Sequence, residues 1–302
     1  MYDDMARQSN VSRNQLIEQG LKAAGSPLRD QVKTWERYTD EKANVARDLM
    51  RSVKAQLQDV SCAHGFRTLS IGSSDEPQFP LLHALSDGGL WLYDCDDSAL
   101  AVVKERADRL LLNDVHTVSG SYLDDFKDKH SASTALQTRL GDARFDLITL
   151  HHALYYCAPD LWPDLMNALC SELLKTPGLV HLALMSSATE QTHTTTWLYN
   201  RFAEKFCNTR NDQNLLDLPG QMSTLPIADT LAFSVCSSAV RCRPDRFADM
   251  MKVVWMILLY PQVHDFSADQ KVEITEFVLD EFWLAGRDLV QHQDYVTLTK
   301  SR

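Results

Sequence analysis

The sequence predicts an α/β fold, a doubly wound and mostly parallel sheet, on three observations. Short apolar runs alternate with amphipathic helical stretches from residue 67 to 186, the order that builds a parallel sheet. The first run, residues 68–71, ends in Gly72 followed by Ser73, Ser74 and Asp75. That is a tight turn into a helix, with small residues that expose backbone N–H groups and leave room for a ligand. A second run, residues 90–93, ends in the acidic cluster Asp94-Cys95-Asp96-Asp97, where doubly wound folds present ligands at the strands' carboxyl ends.

Ahead of the alternation, residues 1–65 read as helical. Leu16, Leu21 and Ala24 share a face, Gly25-Ser26-Pro27 punctuates the chain, and from Leu28 to about Val60 apolar positions including Val32 and Leu57 recur at helical spacing, as one long helix or as two shorter ones with a break near Thr39-Asp40. Trp35 and Tyr38, three apart, share one helix face, as core or as the cover of a pocket. After the first strand and turn comes a helix to about Ser86. Then follow the strand at 90–93, an amphipathic helix with Leu100, Val103, Ala107 and Leu110 on one stripe, and a third strand at 114–119 ending in Gly120-Ser121-Tyr122. Residues 145–150 (FDLITL) form a fourth strand running into His151-His152-Ala153-Leu154-Tyr155-Tyr156. A helix over 161–175, stopped by Pro177-Gly178, precedes a fifth strand at 179–185 (LVHLALM) suited to burial on both faces. Beyond it the pattern predicts a helix at 194–206, a loop at 215–225, a strand at 230–236, helices at 245–259 and 272–283, and a last strand at 294–299 at or near the sheet edge.

The chain has 302 residues, 44% of them hydrophobic and 24% charged, as in a soluble globular protein. A net charge of −11 opposes a broad phosphate-binding surface, so no nucleic-acid partner is expected. No apolar run approaches the ~20 residues of a membrane span, and the opening MYDDMARQSN is polar, unlike a signal segment. Seven cysteines without a CxxC pair fit reduced thiols in the cytosol. Adjacent His151 and His152 diverge and no third ligand stands at a recognisable spacing, so no metal site is expected.

These signals, in this order, resemble the class I S-adenosylmethionine-dependent methyltransferases. LSIGSS at 69–74, LYDCDDSAL at 92–100, FDLITLHHALYY at 145–156 and LVHLALM after a helix ending in KTPG carry the resemblance over about residues 66–186. Within that superfamily LSIG with HALYY is similar to the histamine N-methyltransferase type. The resemblance implies a Rossmann-like domain over 66–302, with substrate-side elements in 187–290, under a helical N-terminal cover at 1–65. It implies S-adenosylmethionine as cofactor, with Gly72 at its methionine part, Ser73 beside it as a further cofactor-binding residue, Asp96 on the ribose hydroxyls, Ser121 near the adenine and His151 lining it. His152, Tyr155 and Tyr156, the candidate catalytic residues, would face a small-molecule acceptor, an amine in preference to a hydroxyl, with His152 either taking its proton or positioning it by a hydrogen bond. Trp197 would be an aromatic wall of its pocket, and Trp35, Tyr38 and Glu41 part of the cover.

Each residue also has a plainer role: Asp96 as a helix cap, and Tyr155, Tyr156 and Trp197 as core aromatics. Family members carry a GxGxG turn, whereas Ser73, Ser74, Asp75 and Glu76 follow Gly72 here; side chains at positions needing positive φ add strain. A catalytically silent methyltransferase-like binding protein, a small-molecule O-methyltransferase and a nucleotide-binding oxidoreductase stay open as alternatives.

Overall fold

The structure, a computed structural model, describes residues 11–57, 65–188, 191–259 and 265–301. The polar opening segment and the expected end of the third helix near Val60 lie outside the described residues. The chain forms two compact units. One comprises Met1–Glu41, Ser187–Asp212 and Ala239–His292; the other comprises Lys42–Ser186, Gln213–Ser238 and Gln293–Arg302.

The first unit is built from helices α1 (Arg13–Ala23), α2 (Leu28–Tyr38), α9 (Thr195–Cys207), α11 (Phe247–Ile257) and α12 (Ala268–Val278). Their apolar stripes meet in one core that includes Trp35, Phe202, Phe247, Met251, Trp255 and Phe282. Ser12 starts α1 and Ser267 starts α12 with a reciprocal capping box, each pairing with a glutamine three residues on. Gly20 lets α1 pack closely, since a Cβ there would lie 2.5 Å from Thr275. Its carbonyl accepts the Trp255 indole N–H at 3.0 Å.

The second unit holds the parallel part of a seven-stranded sheet ordered β3-β2-β1-β4-β5-β7-β6. Its strands are β1 (Arg67–Ile71), β2 (Gly89–Asp94), β3 (Val115–Ser119), β4 (Phe145–His151), β5 (Leu174–Met185), β6 (Leu231–Cys242) and β7 (Leu289–Lys300). Strands β1 to β5 pair in parallel, and β7 runs antiparallel to β5. The remaining helices are α3 (Glu41–Leu57), α4 (Phe79–Leu85), α5 (Asp97–Arg109), α6 (Tyr122–Asp125), α7 (Lys129–Thr138), α8 (Trp162–Ala168) and α10 (Leu218–Met222). Leu49, Phe79, Leu82, Leu90, Leu92, Leu100 and Val103 pack into one cluster with Leu147 and Leu179. Strand β4 is buried on both faces up to Leu150, as parallel strands between helical layers are. The predicted doubly wound, mostly parallel architecture is the one observed, and the break near Thr39-Asp40 falls between α2 and α3.

Three local expectations change. The helix predicted over 161–175 is a short turn, α8 and then a wide π turn at Leu169–Leu173. Strand β5 begins at Leu174, five residues early. Leu174 pairs with Phe145 and Leu179 with Leu147, so Lys175 to Gly178 form an irregularity within the strand. Pro177 suits such a position because it has no N–H to give to the ladder. The predicted loop at 215–225 contains a 3₁₀ turn at Leu215–Asp217 and the short α10, which buries Leu218 and Met222. The last strand, β7, is twelve residues long, longer than expected, and lies near the edge as expected, one strand in from β6. Among the described residues no helix is long and apolar enough to cross a membrane.

Candidate functional site

The chain reverses its winding direction between β1 and β4, and open α/β sheets place ligand crevices at such a point, outside the strands' carboxyl ends. The turn after β1 begins at Gly72, whose φ of +66° favours glycine. A Cβ built there would lie 2.5 Å from that of Ala153, so the turn and the segment after β4 meet directly.

The amides of this turn are not open. Gly72 and Ser73 donate to the Tyr93 carbonyl at 2.8 and 3.4 Å, and the Ser74 N–H donates to the Asp94 carboxylate at 2.7 Å. The expectation of exposed backbone donors is therefore corrected: the chain turns them inward. Ser74 and Glu76 take positive φ values of 47° and 44°, the strain expected where glycines are replaced. Glu76 folds back into the turn, accepting from the Ser70 hydroxyl and from the Gln78 N–H. Burial pushes its carboxyl above the ordinary value, against those two hydrogen bonds. The Ser73 hydroxyl is buried and has no hydrogen-bond partner among the described residues.

Asp96 lies exposed at the head of α5, where its carboxylate accepts from the Ser98 and Ala99 amides at 2.9 and 3.2 Å and from the Ser98 hydroxyl. The Ser98 hydroxyl and these amides hold its carboxyl below the ordinary range. Asp94 sits at the strand end itself, taking Ser74 N–H on one oxygen and Asp96 N–H on the other. The Gly120 N–H reaches the Asp94 carbonyl at 3.0 Å, so the turn carrying half-buried Ser121 is tied to the end of β2. Tyr122 donates to the Ala153 carbonyl at 2.7 Å. Positions 72, 73, 94, 96, 121 and 151 are thus carried on one continuous, hydrogen-bonded set of strand ends.

Within the segment after β4, His152 takes a left-handed φ of 57° and donates its amide to Ala183. Its Nδ1 is 3.1 Å from the Tyr155 hydroxyl and its Nε2 is 2.9 Å from Nε2 of Gln293. Gln293 is fully buried and its oxygen accepts from Tyr295 at 2.9 Å, which turns its amide N–H₂ toward His152. The buried Tyr155 hydroxyl accepts the Met185 N–H at 2.9 Å, whereas Tyr156 is 57% exposed.

His151, half-buried, pairs through Nε2 with Nδ1 of His181 at 2.9 Å. The sequence reading missed His181, Asp48, Gln293 and Asp94. Asp94 had a visible signal, being the last residue of the second strand. The other three are brought in by pairing between distant segments, which leaves no local pattern.

Trp35, Tyr38, Glu41 and Trp197 all belong to the first unit. Trp35 and Glu41 are buried, Trp35 in the helical core. Tyr38 bonds to Asp245 and Asp249, and burial together with these carboxylates pushes its phenol up to about 12. Trp197 packs on His193 and Phe277 at ring separations of 5.5 and 5.8 Å, with the Arg201 guanidinium 5.8 Å from its ring centre.

No family model matches the chain, and no curated protein matches its sequence. Solved structures do match. The YcgJ protein of Bacillus subtilis aligns with a TM-score of 0.52 at 14% identity, covering 84% of this chain and 99% of its own. A putative methyltransferase from Bacillus halodurans C-125 aligns with a TM-score of 0.51 at 14% identity, covering 83% and 99%. At such identities the likeness is one of architecture: this chain shares a seven-stranded, mostly parallel Rossmann-like fold with those structures.

Proposed function

We propose that this protein is an S-adenosylmethionine-dependent methyltransferase acting on a small molecule, at an amine nitrogen in preference to oxygen. The observation that carries this reading is the buried, unpartnered Ser73 hydroxyl in the Gly72 turn at the switch point of the sheet. A buried hydroxyl without a partner is costly, and a bound polar group would satisfy it. The residues present fit the cofactor. Gly72 and Ser73 would take its methionine part, Asp96 with neighbouring Asp94 its ribose hydroxyls, and Ser121 its adenine side, with His151 lining the site. The cofactor, when bound, supplies a methyl group on a sulfonium, already electrophilic.

The chain's share is to hold the acceptor lone pair in line and to exclude water. His152, fixed between Tyr155 and Gln293, and Tyr155 and Tyr156 are the proposed acceptor-side groups; aromatic faces also attract cationic ligands. Trp35, Tyr38, Glu41 and Trp197 are proposed for the acceptor pocket and its cover, within the cover at 1–65 and the elements of 187–290. The preference for nitrogen rests on the likeness of LSIG and HALYY to the histamine N-methyltransferase type. The six described cysteines are free thiols, which supports a cytosolic setting.

Calorimetry with S-adenosylmethionine tests the reading. Binding by the intact protein, weakened at least tenfold in Asp96→Ser or Asp94→Asn and lost in Gly72→Trp, is expected; no binding by the intact protein overturns it. Product analysis with matched amine and alcohol acceptors then separates N- from O-methylation. A catalytically silent, partner-binding protein is the second reading, favoured by the inward amides of residues 72–74 and by Glu76 lying in the turn. S-adenosylhomocysteine formation with any acceptor excludes it.

A further inference from the structure

We propose that Arg139, Asp125 and Tyr93 brace the turn at residues 119–121, and that this brace sets the position of the turn against the adenine side of the cofactor. The cofactor half rests on the methyl-transfer reading above, whereas the brace stands on geometry alone.

The three side chains come from separate elements of the second unit. Tyr93, on β2, is fully buried, and a buried phenol needs a hydrogen-bond partner. It donates to Asp125, at the end of α6. Arg139 follows α7 and reaches two acceptors. Its Nε lies 3.1 Å from the same Asp125 oxygen, and its Nη1 donates to the Ser119 carbonyl at 2.9 Å. One guanidinium thus ties the end of β3 to the end of α6, as a planar fork of donors allows. Burial, together with the Asp125 hydrogen bond, pushes the Tyr93 phenol far above its ordinary value, so it stays a donor.

Gly120 sits directly on this group. A Cβ there would collide with the Tyr93 hydroxyl and lie 2.7 Å from the Asp125 carboxylate. Gly120 is not among the glycines with positive φ, so space is what this glycine supplies. The turn is coupled to its neighbours as well. The Gly120 N–H donates to the Asp94 carbonyl at 3.0 Å, and the Asp94 carboxylate receives the Ser74 and Asp96 amides. Tyr122 donates to the Ala153 carbonyl, and Ala153 meets Gly72. The brace is therefore the anchor, at the β3 end, of the strand ends that carry positions 72, 94, 96 and 121.

The Arg139 and Asp125 side chains are 44% and 20% exposed, and an ion pair so open to water adds little stability. Its consequence is positional, because a binding constellation tolerates displacements of only about 0.5 Å. Tyr93, Asp125 and Arg139 act through the turn, as positioning residues.

Amide hydrogen exchange reads the brace without any ligand. In Asp125→Leu and Arg139→Met the Gly120 amide is expected to exchange roughly tenfold faster than in the native protein, as a local opening does, while the Leu92 amide in the middle of β2 keeps its rate. Asp125→Asn, which keeps an oxygen for Tyr93 and Arg139, is expected to retain native exchange. A native rate at Gly120 in both disruptive variants, an equal acceleration at Leu92, or an Asp125→Asn protein that behaves like Asp125→Leu overturns the brace. Calorimetry with S-adenosylhomocysteine supplies the second arm. Affinity is expected to fall roughly tenfold in Asp125→Leu and Arg139→Met at full stoichiometry, and KM for S-adenosylmethionine to rise by the same factor with kcat unchanged, since the loss is one of positioning the ligand. A fold defect alone would lower the stoichiometry and kcat and leave the affinity intact. Native affinity in both variants, or a loss confined to stoichiometry and kcat, overturns the cofactor half. Absence of binding by the native protein overturns the methyl-transfer reading and the cofactor half with it, and the exchange rates still decide the brace.

Discussion

Gly72 and Ala153 meet so closely that a Cβ on Gly72 would lie 2.5 Å from the Cβ of Ala153, and Gly72 holds a φ of +66° while doing so. Two independent costs therefore fall on Gly72→Ala: a left-handed backbone for an L residue and a steric clash. Together they are expected to destabilise the protein by about 1–3 kcal/mol, read by urea denaturation. Gly72→Ala combined with Ala153→Gly should recover the steric part and leave the backbone part. A double variant no more stable than Gly72→Ala would refute the clash.

Asp96 separates two roles that its position otherwise joins. As the cap of α5 it satisfies the Ser98 and Ala99 amides, so Asp96→Ala should cost about 1 kcal/mol and Asp96→Ser nearly nothing. If Asp96 also holds the ribose, both variants lose cofactor affinity. A serine variant with native melting temperature and native affinity would leave the ribose to Asp94.

The fold was legible because its signals are local. Alternating runs of apolar residues mark β1 to β5, and Gly72, Gly120 and Pro177-Gly178 punctuate them. The first half of the candidate site was legible for the same reason, since residues 72, 96, 121 and 151 lie at or just after strand ends. What stayed hidden depends on pairing at a distance. Nothing near His181 announces that Asp48, 133 residues earlier, pairs with its Nε2, and nothing near His152 points to Gln293. The π turn at Leu169–Leu173 kept helical spacing and so concealed that strand pairing starts at Leu174. The inward amides of the Gly72 turn were hidden too, because they depend on the Tyr93 carbonyl and Asp94 carboxylate of the neighbouring strand.

Tyr155 and Tyr156, adjacent in sequence, should respond differently to loss of the hydroxyl. Tyr155→Phe leaves the buried Met185 N–H without its acceptor and removes a partner from His152, at an expected cost of about 1–3 kcal/mol. Tyr156 is 57% exposed, and Tyr156→Phe should stay within about 0.5 kcal/mol of the native protein. Equal melting temperatures for the two variants would contradict this.

Glu76 gives the stability of the fold a pH dependence of definite sign. Burial raises its carboxyl above the unfolded value of about 4.3, so the folded chain binds this proton more tightly than the unfolded one. The associated stability is fully present below about pH 4.3 and is lost as pH rises through the folded pKa. Glu76→Gln removes the ionisation and keeps an oxygen for the Gln78 N–H, while its amide has the Ser70 hydroxyl to donate to. Its stability relative to the native protein should therefore rise between about pH 4 and pH 7, measured as the difference in urea midpoints across a pH series. Parallel pH profiles for the two proteins would mean that Glu76 titrates normally and that its burial is offset by its partners.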